Sequence, residues 1–220
     1  MKIIEPNFYL LNPYSGEKLT PEDGIKLLWH IESMARISHR SESKQTPESW
    51  RRFIEAVVIS HGDWSVTEHA SVTAVIRTDR GVTHELVRHR LFSFTQESTR
   101  FVRYGEIEFI RPVELNQTTE VAWLRSVQQA EENYFDMLEW GAKPQTARAV
   151  LPNSMAATIA VTGNLRNWRN FFLMRTSKET HPDFRRISIS MLEEFKRIIP
   201  ILYDDIVPEQ RQIDNLRKGK

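Results

Sequence analysis

Apolar residues recur at helical spacing in the first quarter of the chain. One stripe runs from Ile25 to Met34 and a second runs from Trp50 to Val58, which predicts two helices. A hydroxyl residue, a proline and an acid precede each stripe, at Thr20-Pro21-Glu22 and at Thr46-Pro47-Glu48. A capping hydroxyl followed by proline is typical of a helix start. Gly62 marks the predicted end of the second helix.

Strict alternation of apolar and polar or small residues predicts two longer strands. The first covers Val72 to Thr78 and the second covers Met155 to Val161. A shorter strand is predicted from Ile107 to Ile110, before Pro112. Residues 1–19 are predicted to form a short strand or arm followed by a loop.

Later apolar stripes predict a further set of helices. The longest begins at Thr119 and ends at Gly141, and a shorter one runs from Pro144 through Arg148 and Val150 to Leu151-Pro152. The dipeptide Gly163-Asn164 interrupts the second long strand and is predicted to cap a helix. A last helix starts near Pro182, and the chain beyond Pro208 is polar. Thr83 is predicted to cap a short helix from His84 to His89.

The order of these elements favours one class of fold. Helices flank a few strands without a regular alternation of strand and helix, so we expect an α+β fold with an antiparallel or mixed sheet packed by helices. A length of 220 residues suits a single domain spanning residues 1–220.

Composition narrows the possible chemistry. Net charge is +1, which argues against a protein that is basic over its whole surface. The absence of cysteine excludes disulfides, thiolate metal sites and a cysteine nucleophile. No segment approaches the roughly 20 apolar residues of a membrane span, and the N-terminus lacks the apolar run of a signal peptide. We therefore expect a cytoplasmic protein.

Basic charge is concentrated in one stretch, residues 88–100. Arginines outnumber lysines 21 to 9, and Arg88, Arg90 and Arg100 fall within this stretch. Guanidinium groups bind phosphate and carboxylate in a two-pronged geometry. Leu91 and Phe92 are interleaved with them, which indicates partial burial and therefore a partner for the charges. An anionic ligand site is favoured over a solvated basic surface.

Two other classes of function are compatible with such a stretch. Arginines next to aromatic residues suit an RNA- or nucleotide-binding module, although no known binding motif is present. A metal hydrolase would draw on the histidines, but no His-Glu-x-x-His motif occurs. The histidines in question are His61, His69, His84 and His89. A glycine-rich dinucleotide turn is also absent, so arginines and histidine would have to hold any phosphates.

The basic stretch resembles the defining motif of flavin-dependent thymidylate synthases, Arg-His-Arg-x-x-Ser-x-x-x-x-Ser-x-Arg. The matching residues are Arg88, His89, Arg90, Ser93, Ser98 and Arg100. Other segments resemble the same family: Glu68-His69 before a strand, and Ala147 to Pro152 as Ala-Arg-x-x-Leu-Pro. A third element is the spaced set Asn164, Arg166, Asn170 and Arg175.

The chain departs from the family pattern in three places. The family often has histidine where Asp63 stands and usually has glutamine where Glu85 stands. It commonly has Asn-Glu where this chain has Thr95-Gln96, with Glu97 next to them. Which of Gln96 and Glu97 faces a ligand stays open, and so does a contact by Glu85.

The resemblance implies an activity, cofactors and an assembly. The reaction is the reductive methylation of dUMP to dTMP, with 5,10-methylenetetrahydrofolate as carbon donor and FAD reduced by NADPH. The family forms homotetramers that bind FAD where subunits meet. The absence of cysteine agrees with this reaction, because the unrelated class of thymidylate synthase attacks uracil with a cysteine.

The resemblance also assigns residues to roles. The catalytic candidates are Arg175, Ser98 and His69. The FAD-binding candidates are Ser71, Arg88, His89, Arg90, Gln96, Asn164, Arg166 and Asn170. The dUMP-binding candidates are Glu85, Arg88, Gln96, Glu97, Ser98, Thr99, Arg100, Arg148 and Arg175. Arg175 would stabilise negative charge that develops on the uracil, and Ser98 would position the substrate by hydrogen bonding. No metal is expected.

Overall fold

The computed structural model describes residues 1–208 and contains two sheets. Their strands are β1 (Lys2–Ile4), β2 (Asn7–Leu11), β3 (Ser71–Asp79), β4 (Ser93–Gln96), β5 (Glu108–Ile110) and β6 (Ala156–Asn164). The larger sheet is antiparallel, with the order β2-β3-β6-β4, and the smaller one is a parallel pair of β1 and β5. The predicted α+β class with an antiparallel or mixed sheet is therefore confirmed.

Residues 1–208 contain seven α-helices. They are α1 (Pro21–Ile37), α2 (Ser49–Phe53), α3 (Arg80–Leu86), α4 (Gln117–Glu139), α5 (Pro144–Ala147), α6 (Leu165–Arg175) and α7 (Pro182–Ile198). Of these, α3 and α6 contact the larger sheet directly. Short 3₁₀ helices lie at Glu42–Lys44, Trp64–His69 and Arg148–Val150. Within residues 1–208, no helix is both long enough and apolar enough to cross a bilayer. The polar tail predicted beyond Pro208 lies outside the described residues.

Helix α1 is fixed at its start and in its middle. Thr20 and Asp23 form the predicted cap, each side chain bonded to the other's backbone N–H. In the middle, the fully buried Glu32 accepts two hydrogen bonds from Arg36, at 2.6 and 2.8 Å. The hydroxyl of Ser49 lies 2.8 Å from both carboxylate oxygens. This buried network joins α1 to the start of α2.

Aromatic side chains of α6 fill the centre of the main core. Trp168, Phe171 and Phe172 are all fully buried. The Trp168 Nε1–H donates to the carbonyl of Val72 in β3 at 3.1 Å, so the indole is buried without losing its hydrogen bond. This packing fixes α6 against the sheet and thereby fixes Arg175 at the end of the helix.

Helix α3 differs from the prediction. Thr83 does not cap a helix from His84 to His89; the helix begins at Arg80, and the Asp79 carboxylate accepts from the Val82 N–H at 2.9 Å. Aspartate caps as well as threonine does, and here it ends a strand at the point where the chain turns into the helix. Thr83 is buried within α3. The Arg88-His89-Arg90 triplet therefore follows the helix.

Two other helices start at residues different from those predicted. The second helix begins at Ser49 rather than near Thr46, and from Ile54 to Ser60 it is wound as a π-helix. The long helix α4 begins at Gln117. Asn116 is its N-cap, and Thr119, at position N3 of the helix, completes the capping box. The predicted stops at Gly62 and Gly141 agree with positive φ angles of 82° and 90° at these glycines.

Asp79 offers a test of the electrostatics around α3. Burial, and then the nearby Asp183 carboxylate, raise the pKa of Asp79 against the opposing hydrogen bond from Val82. The pKa of Asp79 is higher in the folded than in the unfolded protein. Its contribution to the free energy of unfolding therefore falls as the pH rises from the unfolded pKa through the folded pKa. The substitution Asp79→Asn keeps the helix cap. We expect this variant to have the parent's free energy of unfolding at pH 3 and a larger one than the parent at pH 7. Urea unfolding at both pH values measures this; a variant less stable at pH 7 would contradict it.

Candidate functional site

A cleft of about 310 Å³ lies where the turn after α3 meets α6. We call it the arginine cleft; its lining residues are Arg88, His89, Arg90, Leu91, Phe92, Asn167, Asn170, Met174 and Arg175. Asn167 fastens the turn to the helix, because its Nδ2 donates to the carbonyl of Leu91 at 3.0 Å. Two segments separated by more than 70 residues thus form one basic surface.

Arg175 is held in this cleft by contacts with three side chains. Its Nε donates to Nε2 of His89 at 2.8 Å, and its Nη1 lies 3.4 Å from a carboxylate oxygen of Glu85. The guanidinium also lies over the ring of Phe184, with 4.9 Å from the guanidinium carbon to the ring centroid. Burial and then the positive charge of Arg175 lower the pKa of His89 to about 4. His89 is therefore neutral at pH 7.

The floor of the cleft depends on a close contact between Phe92 and Gly163. Phe92 packs edge-on against Trp168, with 4.6 Å between ring centroids. A Cβ atom at Gly163 would lie 2.2 Å from the Phe92 ring. Glycine is thus required here so that the ring can lie on β6, and this ring anchors the turn that carries Arg88 to Arg90.

A second group of candidate residues lies beyond the other end of β4, in residues 97–104. The Nη1 of Arg148 donates to the hydroxyl of the buried Thr99 at 3.0 Å. Arg100 is exposed, and its Nε lies 3.3 Å from Gln145 Oε1. The backbone N–H of Arg100 lies 3.4 Å from the Ser98 hydroxyl. These groups form a basic surface with hydroxyl groups, a chemistry that suits phosphate.

Glu97 and Gln96 are both already engaged within the chain. One Glu97 oxygen accepts from the Tyr104 hydroxyl at 2.6 Å, and the other lies 3.3 Å from Arg77. Burial and then the Glu97 carboxylate raise the pKa of Tyr104, so this phenol stays protonated. Gln96 Nε2 donates to Thr83 at 3.1 Å, which leaves its carbonyl oxygen for a ligand. Of the two side chains, Gln96 is the better placed for a ligand contact.

A third group lies where β3 begins and β6 ends. Ser71 and Asn164 are directly opposite each other in the sheet. Asn164 also caps α6 as predicted, because its side chain accepts from the Asn167 N–H at 2.8 Å. Arg166 forms an ion pair with Glu68 at 2.6 Å. His69 is exposed in a separate cleft of about 390 Å³ beside Tyr14 and His30.

The second and third groups lie at opposite ends of the sheet within one chain. Arg77, which contacts Glu97, is six positions after Ser71 in β3, and a strand rises about 3.3 Å per residue. The two ends of the sheet are therefore roughly 20 Å apart. The arginine cleft unites the triplet with Asn170 and Arg175, whereas Arg148 belongs to the second group and Ser71 to the third. No cluster of three potential metal-ligating side chains occurs within residues 1–208.

Sequence reasoning missed residues that hold the site in place. Asn167 was not predicted, although it lies three residues before Asn170, close to the same side of α6. Arg77 and Tyr104, which hold Glu97, were not predicted either. The sequence did contain a hint for Arg77, because an arginine in an otherwise uncharged alternating strand needs a partner in the fold. Tyr104 carried no sequence signal of its own.

Comparisons with known proteins agree on one family. Residues 28–201 match the family model described as thymidylate synthase complementing protein. The chain is 34% identical to a flavin-dependent thymidylate synthase of Corynebacterium efficiens over 211 residues, covering 86% of this chain and 81% of that protein. It is 36% identical to that of Sulfurisphaera tokodaii over 171 residues, covering 76% of this chain and 66% of the relative.

A solved structure shows the same fold. The UMP/dUMP methylase PolB from Streptomyces cacaoi, bound with 5-Br dUMP, superimposes with a TM-score of 0.76 at 21% identity. The match covers 93% of this chain and 96% of PolB. The family model spans most of the chain, and the identity to named relatives extends along four fifths of the Corynebacterium protein. The chain belongs to the flavin-dependent thymidylate synthase family.

Proposed function

We propose that this protein catalyses the reductive methylation of dUMP to dTMP as a flavin-dependent thymidylate synthase. The observation that carries the proposal is the arginine cleft, because it joins the Arg88-His89-Arg90 triplet to Arg175 in a chain of this family. Methylenetetrahydrofolate is the proposed carbon donor and NADPH the proposed reductant of the flavin.

The arginine cleft has the chemistry that an FAD would require. Arg88 and Arg90 are exposed, and within residues 1–208 their side chains form no ion pair. Two unpaired guanidinium groups suit the pyrophosphate of a dinucleotide, and Asn170 adds an amide. When bound, the reduced flavin supplies the hydride, and the protein supplies binding and electrostatics. Ser71, Gln96, Asn164 and Arg166 remain proposed FAD contacts.

The second group of residues suits the nucleotide substrate. Arg100 and Arg148 bring two positive charges beside Thr99 and Ser98, which matches a phosphate monoester. Ser98 has no base within hydrogen-bonding distance among the described residues, which supports a positioning role rather than nucleophilic attack. Arg175 would stabilise negative charge on the uracil ring.

A homotetramer with shared sites is part of the proposal. The cleft of about 310 Å³ is at the lower end of the roughly 300–1,000 Å³ usual for ligand sites, so it would hold only part of an FAD. The second group of candidate residues lies at the opposite end of the sheet from the third, and neighbouring subunits could bring such residues together. Leu91 and Phe101 are also largely exposed beside the two basic surfaces. A single domain and a cytoplasmic location stay predictions.

One experiment tests the cofactor and the reaction together. Flavin-depleted protein is titrated with FAD by fluorescence, and dTMP is then measured with dUMP, methylenetetrahydrofolate and NADPH. We expect FAD to bind and dTMP to form only when all three compounds are present. Failure to bind added FAD would refute the proposal. Light scattering tests the assembly, since a fully active monomer of 25.9 kDa would refute the tetramer.

A further inference from the structure

We infer that His89 is a positioning residue for Arg175 rather than a flavin ligand through its Nε2 atom. The inference rests on the proposed function, because the role of Arg175 in the reaction comes from there. The resemblance groups His89 with Arg88 and Arg90 as an FAD contact, but the three side chains have different surroundings in the structure.

Burial separates His89 from its two neighbours in the motif. Arg88 and Arg90 are exposed, whereas His89 is only 9% exposed. The imidazole packs edge-on against Phe171, with ring centroids 5.1 Å apart, and it also contacts Phe92. The Phe92 N–H donates to the His89 carbonyl at 3.1 Å, so backbone and ring are both held. A fixed ring is suited to hold another side chain.

The hydrogen bond to Arg175 determines which atoms of His89 remain available. Arginine only donates, so the Nε2 atom at 2.8 Å must be the acceptor and the ring proton must be on Nδ1. The lowered pKa of His89 agrees, because a protonated ring would have no acceptor and would repel the guanidinium. The Nε2 atom is thus engaged by Arg175 and is not free for a ligand.

The same contact orients Arg175. His89 accepts from Nε, Glu85 lies 3.4 Å from Nη1, and the guanidinium carbon lies 4.9 Å from the ring centroid of Phe184. Glu85 is the weaker anchor, because its side chain is 40% exposed and the distance is long. A guanidinium has five N–H donors, so several remain for a ligand in the cleft that Arg175 lines. A cation held in place before the substrate arrives needs little reorganisation during the reaction.

Two substitutions of His89 separate this role from flavin binding. Glutamine places a carbonyl oxygen near the position of Nε2, and asparagine places its polar atoms near Nδ1 instead. We expect His89→Gln to keep most dTMP formation. We expect His89→Asn to lose roughly 100-fold, the scale for a group displaced by about 1 Å, while FAD still binds and is still reduced by NADPH. His84→Gln, an exposed histidine on α3, is the matched control.

The results for the two His89 variants distinguish positioning of Arg175 from a ligand contact through Nδ1 and from a packing role. The opposite order, with His89→Asn active and His89→Gln inactive, would mean that Nδ1 contacts a ligand and would overturn the inference. Equal loss of flavin affinity and of melting temperature in both variants would make His89 a packing residue and would overturn it too. A double-mutant cycle adds a check, because a residue that acts only through Arg175 should have no further effect in an Arg175→Ala background.

A spectroscopic measurement tests the contact without turnover. We expect ¹⁵N NMR of the purified protein to show a neutral His89 with the proton on Nδ1 at pH 6. In Arg175→Ala the pKa of His89 should rise, because the neighbouring positive charge is gone. An unchanged titration, or a proton on Nε2, would refute the contact. If the wild-type protein made no dTMP, the proposed function would fall while this measurement would still decide the contact.

Discussion

Replacing Arg175 with alanine is expected to slow dTMP formation by about 100- to 1,000-fold while the protein still binds FAD. The guanidinium is held by His89 and lines the arginine cleft, so its loss removes a fixed positive charge from the place where we propose that negative charge develops on uracil. Arg175→Lys should restore little, because an ammonium cannot donate to His89 and to a ligand in the same planar geometry.

Three measurements on each variant separate the steps of the reaction. Flavin occupancy reports cofactor binding, anaerobic reduction by NADPH reports the first half-reaction, and tritium release from labelled dUMP reports turnover. Arg197→Ala, an exposed arginine near the end of α7, is the matched control and should behave as the wild type. Normal turnover in Arg175→Ala would remove this residue from the mechanism. Loss of FAD from Arg175→Ala would assign the residue to the flavin.

Glu32→Gln is expected to destabilise the fold by about 3–5 kcal/mol, the largest effect on stability that we predict. Glu32 is fully buried and pairs with Arg36, whose side chain is only 12% exposed. The neutral amide leaves this buried guanidinium without its counter-charge. Its NH₂ group also replaces Oε2, which now accepts a hydrogen bond from the Ser49 hydroxyl, with another donor. Both effects weaken the junction between α1 and α2.

Urea unfolding at pH 7 measures this change, with equal m-values for parent and variant as evidence of a two-state comparison. Glu22→Gln is the control within the same helix, because Glu22 and its partner Lys26 are largely exposed. An ion pair in solvent contributes little, so this control should unfold at the parent's midpoint. A Glu32→Gln variant as stable as this control would show that Arg36 finds other partners.

Periodicity predicted the elements of this fold better than it predicted their ends. The alternation of Val72 to Thr78 and of Met155 to Val161 was confirmed, since β3 and β6 are the central strands of the sheet. The starts of α2, α3 and α4 were wrong by a few residues. At each one a nearby polar residue competes for the capping position, and the turn of the chain in three dimensions decides which residue caps.

The composition of the site was easier to predict than its geometry. Family resemblance named Arg88, His89 and Arg175, and the structure brings these three into one cleft. The hydrogen bond between His89 and Arg175 joins residues 86 positions apart, and no local sequence pattern encodes such a contact. The placement of Arg148 and Ser71 at opposite ends of the sheet was equally invisible in the sequence, because it depends on the pairing of β3, β6 and β4.

The contact between Phe92 and Gly163 also constrains how the sequence can vary. A side chain at position 163 would need the space that the Phe92 ring now fills, so neither position can change freely while the other stays the same. Relatives with alanine or serine at position 163 should have a smaller residue at position 92. Within this family the two positions are therefore expected to co-vary, although they are 71 positions apart in the chain.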